Sequence, residues 1–119
     1  MESGGNAEEV VRAYIKALDS HDYEAARRLM DDNASITGNS AETYNKPEKL
    51  LGLFKSLGPR YEIRKIFSDG GDVCAFYGME TATPKARIAM CSWYKVKGGK
   101  ITYIWSVFDP TPFGPQPGK

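Results

Sequence analysis

The sequence predicts an α+β domain in which three N-terminal helices pack on a curved, mainly antiparallel sheet. Three observations support this prediction: apolar residues recur at helical spacing in the first half of the chain, alternating strand patterns fill the second half, and glycine-rich turns separate the strands. The chain has 119 residues, which suffice for one hydrophobic core. We therefore expect a single domain over residues 7–110, a flexible N-terminus over 1–6 and a Pro/Gly-rich tail over 111–119.

Two helices are predicted before the first strand. The first should run from about Ala7 to Ser20, because apolar residues recur there at helical intervals. Asp22 follows at the position of an N-cap residue, whose side chain accepts a hydrogen bond from an unpaired backbone N–H of the first turn. The second helix should therefore begin after Asp22, and it should end near Asp31 and Asp32.

A third helix should begin at Lys46-Pro47-Glu48. Proline suits the first helical turn because it has no N–H to leave unpaired, and four leucines and a phenylalanine supply the apolar stripe that follows. Gly58-Pro59 should end this helix. Between the second and third helices, the alternation over Ala34–Thr37 predicts a brief strand, and Gly38-Asn39-Ser40 predicts a loop.

The second half of the chain is rich in strand patterns. Glycines at Asp69-Gly70-Gly71-Asp72 and Gly98-Gly99 mark turns, and Pro84 marks a break. Both faces of the last strand are largely apolar, so one face should pack on protein and the other should meet a ligand or a partner. The four predicted long strands are Tyr61 to Ser68, Val73 to Thr83, Arg87 to Val96 and Ile101 to Phe108.

The composition excludes several classes of protein. The 16 Lys and Arg residues nearly balance the 15 Asp and Glu residues, so we expect neither a nucleic-acid nor a membrane-surface partner. Cys74 and Cys91 are too few for a disulfide framework and lack zinc-site spacing, which favours free thiols in a reducing compartment. The only histidine, His21, falls in an interhelical turn, so no metal or other cofactor is expected. A signal peptide and a membrane span are not recognisable, and we expect a cytoplasmic protein.

The order of elements and several residue strings resemble the nuclear-transport-factor-2-like (NTF2-like, or cystatin-like) superfamily, in particular its SnoaL-like polyketide cyclase and ketosteroid isomerase branch. The resemblance covers about residues 7–110 and implies a cone-shaped α+β fold. It implies little about activity, because this fold hosts isomerases, cyclases, hydrolases and non-enzymatic modules. The strings are Tyr14-Ile15-Lys16-Ala17-Leu18-Asp19, Asp22-Tyr23-Glu24-Ala25-Ala26, Asp31-Asp32-Asn33-Ala34-Ser35-Ile36, Gly99-Lys100-Ile101, Trp105 and Phe108-Asp109-Pro110.

The resemblance also implies which site residues this chain has kept. The isomerase branch uses a tyrosine on the first helix, and Tyr14 stands there. The position of its carboxylate base is Gly38 here and that of its strand aspartate is Cys91. Since glycine cannot take up a proton and a thiol donates weakly, the isomerase route lacks its proton shuttle. The cyclase and hydrolase branches place an acid after the tryptophan of the last strand, where this chain has Ser106.

The leading functional prediction is therefore a homodimeric domain that binds a small apolar or aromatic molecule in an internal cavity, with no cofactor. The family template surrounds this cavity with side chains that are mostly apolar. They are Tyr14, Met30, Leu53, Phe54, Cys91, Trp93, Ile104, Ser106 and Phe108.

Two alternatives stay open. An acid–base enzyme of isomerase, cyclase or hydrolase type would need a carboxylate in the cavity, with Glu80 or Asp109 as the candidate and Tyr14 as the oxyanion donor. The strand alternation does not show which way Glu80 points, and an aspartate before proline is also a common start of a turn. A non-catalytic dimeric interaction module would instead have a collapsed cavity. The aromatic residues of Trp93-Tyr94 and Tyr103-Trp105 either line the cavity or form a homodimer surface.

Overall fold

The computed structural model describes residues 3–38, 43–44, 46–82 and 85–109. Three helices and six strands follow one another along this part of the chain. The helices are α1 (Ser3–Asp19), α2 (Tyr23–Arg28) and α3 (Pro47–Leu57). The strands are β1 (Met30–Thr37), β2 (Thr43–Tyr44), β3 (Arg60–Asp69), β4 (Asp72–Ala82), β5 (Lys85–Lys97) and β6 (Lys100–Phe108).

The strands form one mixed sheet in the order β2-β1-β6-β5-β4-β3. β1 and β6 pair in parallel, and every other neighbouring pair in this sheet is antiparallel. The register shifts once in each of the pairs β1–β6, β3–β4 and β5–β6, and such irregularities bend a sheet. The predicted α+β class and mainly antiparallel sheet are confirmed. Only α1 and α2 precede the first strand, however, because α3 lies between β2 and β3.

Helix α1 begins at Ser3, whereas the prediction had it begin at Ala7. Residues 3–6 carry no apolar stripe, so the sequence predicts a flexible N-terminus where the structure has the first turn of this helix. The tail over 111–119, the break at Pro84 and the loop residues Asn39 and Ser40 lie outside the described residues. None of the helices in the described ranges combines the length and the apolar character that a bilayer-spanning helix requires.

Helix α2 begins as predicted but ends earlier. Asp22 is its N-cap, and the Oδ1 atom of this residue accepts a hydrogen bond of 3.1 Å from the backbone N–H of Ala25. The helix ends at Arg28, and the predicted end near Asp31 and Asp32 is wrong. Both aspartates belong to β1, which starts at Met30 because this buried residue pairs with β6. Local sequence cannot show such a long-range pairing.

The predicted ends of α3 and of the last hairpin are confirmed. Gly58 follows α3 with a φ of 58°, and its N–H donates a 3.0 Å hydrogen bond to the carbonyl oxygen of Phe54. Gly98 and Gly99 close the β5–β6 hairpin, also with positive φ values. Glycine adopts this left-handed backbone without the steric cost of a Cβ atom.

The core lies between the helices and one face of the sheet, which we call the inner face. Its α1 side is the predicted apolar stripe, with Val11, Tyr14 and Leu18 at most 2% exposed. The burial pattern of β4 shows which of its two alternating sets of side chains faces the core, a question that the sequence left open. Its inward residues are Val73, Ala75, Tyr77, Met79 and Thr81, and its outward residues include Cys74, Phe76 and Glu80.

Candidate functional site

A small chamber lies between α1, α3 and the inner face of the sheet. Its volume is about 30 Å³, which is room for one or two water molecules. Tyrosine is the most frequent residue in its lining, and the rest is apolar except for one serine. The lining residues are Tyr14, Ile15, Leu18, Ile36, Leu50, Phe54, Tyr61, Tyr77, Met90, Tyr94, Ile104 and Ser106.

Tyr14 reaches the chamber from the buried stripe of α1, as the sequence predicted. Its side chain is 2% exposed, and its hydroxyl has no hydrogen-bond partner among the described residues. Burial, with a smaller contribution from Tyr77, raises the pKa of Tyr14 well above its ordinary value. The hydroxyl therefore keeps its proton at neutral pH and can donate a hydrogen bond.

Tyr61 presents a second buried hydroxyl of the same kind. The residue lies near the start of β3, and its hydroxyl also lacks a partner within the described ranges. Burial, followed by the neighbouring Tyr77 and Tyr14 hydroxyls, raises the pKa of Tyr61 well above its ordinary value. Asp19 holds the backbone here, because its Oδ1 atom accepts a 2.8 Å hydrogen bond from the Tyr61 N–H. The chamber therefore contains two neutral donors that no described residue satisfies.

The other hydroxyls at the chamber are already paired. The Oη atom of Tyr77 lies 2.8 Å from the Oγ atom of Ser92, which in turn lies 2.7 Å from the Oγ atom of Ser106. Ser92 is fully buried, and the Tyr94 hydroxyl interacts with the same group. This chain of hydroxyls forms a satisfied polar wall opposite the apolar side chains of the helices.

The structure places the predicted cavity residues in three different environments. Tyr14, Phe54, Ile104 and Ser106 line the chamber. Met30 is buried in the core away from the chamber, and Phe108 packs half-buried against the core. Leu53, Cys91 and Trp93 were wrongly assigned to the cavity.

The error has a geometric cause for each of these three residues. Leu53 is 44% exposed because it lies on the solvent side of α3. In β5 the inward residues include Ser92 and Tyr94, so the alternation turns Cys91 and Trp93 to the opposite, outer face of the sheet. A shift of one residue in a strand exchanges its two faces.

Neither predicted carboxylate lines the chamber. Glu80 lies on the outer face, where its Oε2 atom accepts a 2.9 Å hydrogen bond from Arg87. This guanidinium lowers the pKa of Glu80, whereas a buried general base would have a raised pKa. Asp109 is exposed just beyond the end of β6. Glu80, a candidate whose direction the sequence left open, is therefore not available as an acid or base inside the cavity, and no carboxylate stands among the described lining residues.

Tyr61 and Tyr77 line the chamber but were not predicted as site residues from the sequence. A signal for Tyr77 was present, because the alternating set that contains it carries no charge while the opposite set contains Glu80. The uncharged set is the one that burial favours. No comparable signal marks Tyr61, whose orientation depends on the pairing of β3 with β4.

These geometries define the chemistry that the chamber supports. Neutral hydroxyl donors in an apolar environment with room for only one or two water molecules hold an oxygen acceptor strongly, because little water competes for it. Proton abstraction near neutral pH would need a base in the chamber, and its described lining has neither a carboxylate nor an imidazole. His21 is exposed, and its Nε2 atom lies 2.8 Å from the carbonyl oxygen of Pro59.

A larger surface groove of about 380 Å³ runs along β3 and β4, but its charges compensate one another. Each of its three arginines pairs with a carboxylate: Arg60 with Asp19 at 2.9 Å, Arg64 with Glu62 at 3.5 Å, and Arg87 with Glu80 at 2.9 Å. The groove therefore offers no excess charge to an ionic ligand.

The outer face of the sheet carries an apolar patch, which we call the outer patch. Phe67, Phe76, Trp105 and Val107 are its exposed members, each between 43% and 55% exposed. Trp93 contacts Trp105 and Tyr103, with ring centroids 6.2 and 5.4 Å apart. Of the aromatic cluster predicted from the sequence, Trp93, Tyr103 and Trp105 therefore lie together on this face, while Tyr94 lies in the core. The outer patch consists of Phe67, Cys74, Phe76, Cys91, Trp93, Tyr103, Trp105 and Val107.

Comparison with solved structures shows the same fold in other proteins. An NTF2-like protein of unknown function from Cytophaga hutchinsonii is 25% identical, and the match covers 90% of this chain and 93% of that one with a TM-score of 0.81. A protein from Kribbella flavida, proposed to be a ketosteroid isomerase, is 13% identical over 97% of this chain and 85% of its own, also with a TM-score of 0.81. IdmH from Streptomyces antibioticus, proposed to be a polyketide cyclase, is 16% identical over 89% and 94%, with a TM-score of 0.78.

Comparison at the level of sequence identifies the family. No curated protein matches the chain. The family model described as the SnoaL-like domain matches residues 11–104, which include α1 from Val11 onward and most of the sheet. This match spans well over half of the chain and agrees with the NTF2-like fold of the solved structures. The chain therefore belongs to the SnoaL-like domain family, within the NTF2-like fold.

Proposed function

We propose that this domain binds a small, mostly apolar or aromatic molecule in the chamber and holds it by one oxygen atom, from a carbonyl or a hydroxyl group. The observation that supports the proposal is the pair of buried hydroxyls, Tyr14 and Tyr61, without a partner among the described residues. A buried polar group left unpaired costs roughly 1–3 kcal/mol. An oxygen acceptor placed between the two hydroxyls would recover that cost, while the apolar lining would contact the rest of the molecule.

The size of the chamber restricts the ligand. Typical small-molecule pockets occupy roughly 300–1,000 Å³, about ten times the volume found here or more. Phe54 and Tyr61 contact each other edge to face at 6.3 Å, and both are half-buried, so their movement would open the chamber toward the surface with the smallest disturbance of the core. A compact ligand with a single ring is therefore favoured over one with several fused rings.

A matched pair of ligands tests the proposal. Cyclohexanone and methylcyclohexane have similar shapes, but only the ketone carries an acceptor oxygen. We expect the full chain to bind the ketone more tightly, as measured by chemical-shift changes in amide NMR spectra. The ratio of ketone to hydrocarbon affinity should fall about tenfold in Tyr14→Phe or Tyr61→Phe, because a factor of about ten corresponds to the free energy of one buried hydrogen bond. Tyr103→Phe, on the outer face, serves as the control and should keep the preference.

Two outcomes would contradict this function. Equal binding of the ketone and the hydrocarbon would show that the two hydroxyls do not select an oxygen. If both Tyr14→Phe and Tyr61→Phe keep the full preference for the ketone over the hydrocarbon, then another part of the molecule is responsible for that preference.

A second proposal concerns assembly: we infer that two copies pair through their outer patches as a homodimer. Four exposed large side chains on one sheet face support this, because contiguous exposed apolar surface of this kind is typical of interaction sites. The rim carries both signs of charge, with Lys65 and Lys95 beside Asp69 and Asp72. In a two-fold dimer each copy offers the same patch, so lysines of one can face aspartates of the other.

A further inference from the structure

The two cysteines of the chain come together on the outer face of the sheet. The Sγ atoms of Cys74 in β4 and Cys91 in β5 lie 3.5 Å apart, and both residues are half-buried free thiols. This pair belongs neither to the chamber nor to its hydroxyl network. At this distance the two free thiols share a weak S–H···S hydrogen bond, and the same spacing lets both sulfur atoms bind one bridging atom.

The strand register disfavours a disulfide. Cys74 lies directly opposite Trp93, and Cys91 lies directly opposite Phe76, so the two cysteines occupy diagonal positions. Diagonal neighbours in a sheet have Cα atoms about 7–8 Å apart. A disulfide needs Cα atoms closer than about 6.8 Å, so it would require the strands to move. An atom with bonds to sulfur of about 2.3 Å spans a sulfur separation of 3.5 Å with a bent geometry and no such movement.

The surroundings of the pair disfavour a metal ion as the bridging atom. A structural zinc ion takes four protein ligands, and no group of three His, Cys, Asp or Glu side chains stands together within the described residues. A metal ion must also displace both thiol protons. Burial and the neighbouring Cys74 raise the pKa of Cys91 to about 11, so this displacement is costly at neutral pH. A bridging group that itself takes up the two protons avoids that cost.

We propose that Cys74 and Cys91 form a dithiol site that condenses with a trivalent organoarsenical. The compound R–As=O and two thiols give R–As(S–Cys)₂ and water: two S–H bonds and the arsenic–oxygen bond break, and two As–S bonds form. The oxygen leaves as water with both thiol protons. Arsenic stays trivalent and sulfur is not oxidised, so the step needs no oxidant, reductant or metal.

The neighbours of the pair fit the organic substituent. Phe76 on β4 and Val107 on β6 lie directly opposite Cys91 on its two sides, and they are 43% and 47% exposed. Trp93 flanks Cys74 in the same way. An aryl group on the arsenic would therefore lie on apolar surface next to the sulfur atoms, which favours aryl over charged substituents.

Phenylarsine oxide tests this proposal on the reduced full chain, with intact mass as the readout. With the proposed dimer dissociated, by dilution of the wild type or in Trp105→Ser, we expect one adduct with the mass of the reagent less one water, which survives an excess of 2-mercaptoethanol and is removed by 2,3-dimercaptopropanol. Loss of either sulfur in Cys74→Ser or Cys91→Ser should weaken binding about 100-fold or more, because the second thiol then no longer acts intramolecularly. The two variants are matched, since each replaces a half-buried thiol by a hydroxyl of similar shape.

A fluorescence titration provides an independent readout. The two tryptophans of the chain, Trp93 and Trp105, both lie on the outer patch. In Trp105→Ser only Trp93 remains, directly opposite Cys74, so the adduct should change its emission. Trp105→Ser also weakens the proposed dimer. If the thiols of the wild type fail to react only because they are buried between two copies, they should react in this variant; if the dithiol site does not exist, neither protein should form the adduct.

Three results would overturn the proposal. The first is a wild-type adduct that 2-mercaptoethanol removes as easily as it does from the single-cysteine variants. The second is the absence of an adduct in Trp105→Ser as well as in the wild type. The third is rapid formation of a Cys74–Cys91 disulfide by glutathione disulfide, seen as the loss of two hydrogens, together with no arsenical adduct on the reduced chain, because the pair would then be a disulfide site and not an arsenical site.

Discussion

Tyr77 and Ser92 share a buried hydrogen bond of 2.8 Å that links β4 to β5. Ser92 also lies 2.7 Å from Ser106 of β6, so one hydroxyl connects three neighbouring strands through the core. Tyr14 and Tyr61, which face the same chamber, have no such partner in the described part of the chain. The structure therefore contains satisfied and unsatisfied hydroxyls side by side, and substitutions at the two kinds of position should have opposite effects.

Ser92→Ala should destabilise the fold. The substitution removes the central hydroxyl and leaves Tyr77 and Ser106 with fewer partners in a dry environment, at a cost of roughly 1–3 kcal/mol. Urea unfolding followed by circular dichroism measures this change. An unfolding free energy equal to that of the wild type would mean that the remaining hydroxyls re-pair without Ser92.

Tyr14→Phe should leave stability unchanged or raise it. The variant removes an unpaired buried hydroxyl and keeps the ring, including its edge-to-face contact with Tyr94 at 6.0 Å. Since no described hydrogen bond is lost, the desolvation cost of the hydroxyl disappears. Thermal unfolding in the absence of ligand is the measurement. A clear loss of stability would show that the hydroxyl has a partner, such as a buried water molecule.

The stability of the domain should fall in acid partly because of Asp19. Hydrogen bonds from Arg60 and from the Tyr61 N–H lower the pKa of Asp19 below its ordinary value of 3.8. Because the pKa of Asp19 is lower in the folded state than in the unfolded state, its charged form stabilises the fold at pH values above about 4. This contribution to the unfolding free energy is lost as the pH falls from about 4 through the folded-state pKa.

Asp19→Asn isolates this contribution. The unfolding free energy of the wild type should drop more between pH 7 and pH 3 than that of the variant, since the other carboxylates titrate alike in both. Urea unfolding at the two pH values gives the comparison. Equal drops would assign the acid sensitivity to other ion pairs, such as those of Arg27 with Asp32 and Glu48.

Trp105→Ser should convert a homodimer into a monomer. A central aromatic residue of an interface contributes about 2 kcal/mol or more, so dimer affinity should fall at least about thirtyfold. Leu53→Ser is a matched control, because Leu53 and Trp105 are both 44% exposed but Leu53 lies on α3, away from the outer patch. Sedimentation velocity over a range of concentrations measures both. A wild type that stays monomeric at high micromolar concentration would remove the dimer from consideration.

The spacing of apolar residues and the positions of glycine and proline were enough to predict most of the fold. The stripe of α1, the proline at the start of α3, and Gly98-Gly99 between β5 and β6 each act over a few residues. The start of β1 at Met30 was missed because it depends on pairing with β6, which lies far away along the chain. Once the core forms, this pairing places Met30 in a strand although the local sequence favours continuation of the helix.

The candidate site was harder to predict, because it depends on which face of each strand turns inward. The burial of Tyr14 could be predicted, since a helical stripe has only one buried side, and its place at the site was implied by the family resemblance. Cys91 and Trp93 were assigned to the wrong face of β5, and Glu80 was not assigned to either face of β4. Near the outer patch both faces of β5 are largely apolar, so alternation alone does not identify its buried face. In β4 the charge of Glu80 on one face favours burial of the opposite face, which contains Tyr77.

The parallel pairing of β1 with β6 also determines when the chamber can form. Met30 pairs with Ile101, about 70 residues further along the chain, so the two strands meet only after a large loop has closed. Ile104 and Ser106, which complete the chamber wall, belong to this last strand. During synthesis the apolar stripe of α1 and the hydroxyls of β4 and β5 therefore stay exposed to solvent until β6 has left the ribosome. Folding of the chamber is consequently a late event, and the order in which the chain is made sets the period during which this core is open to aggregation.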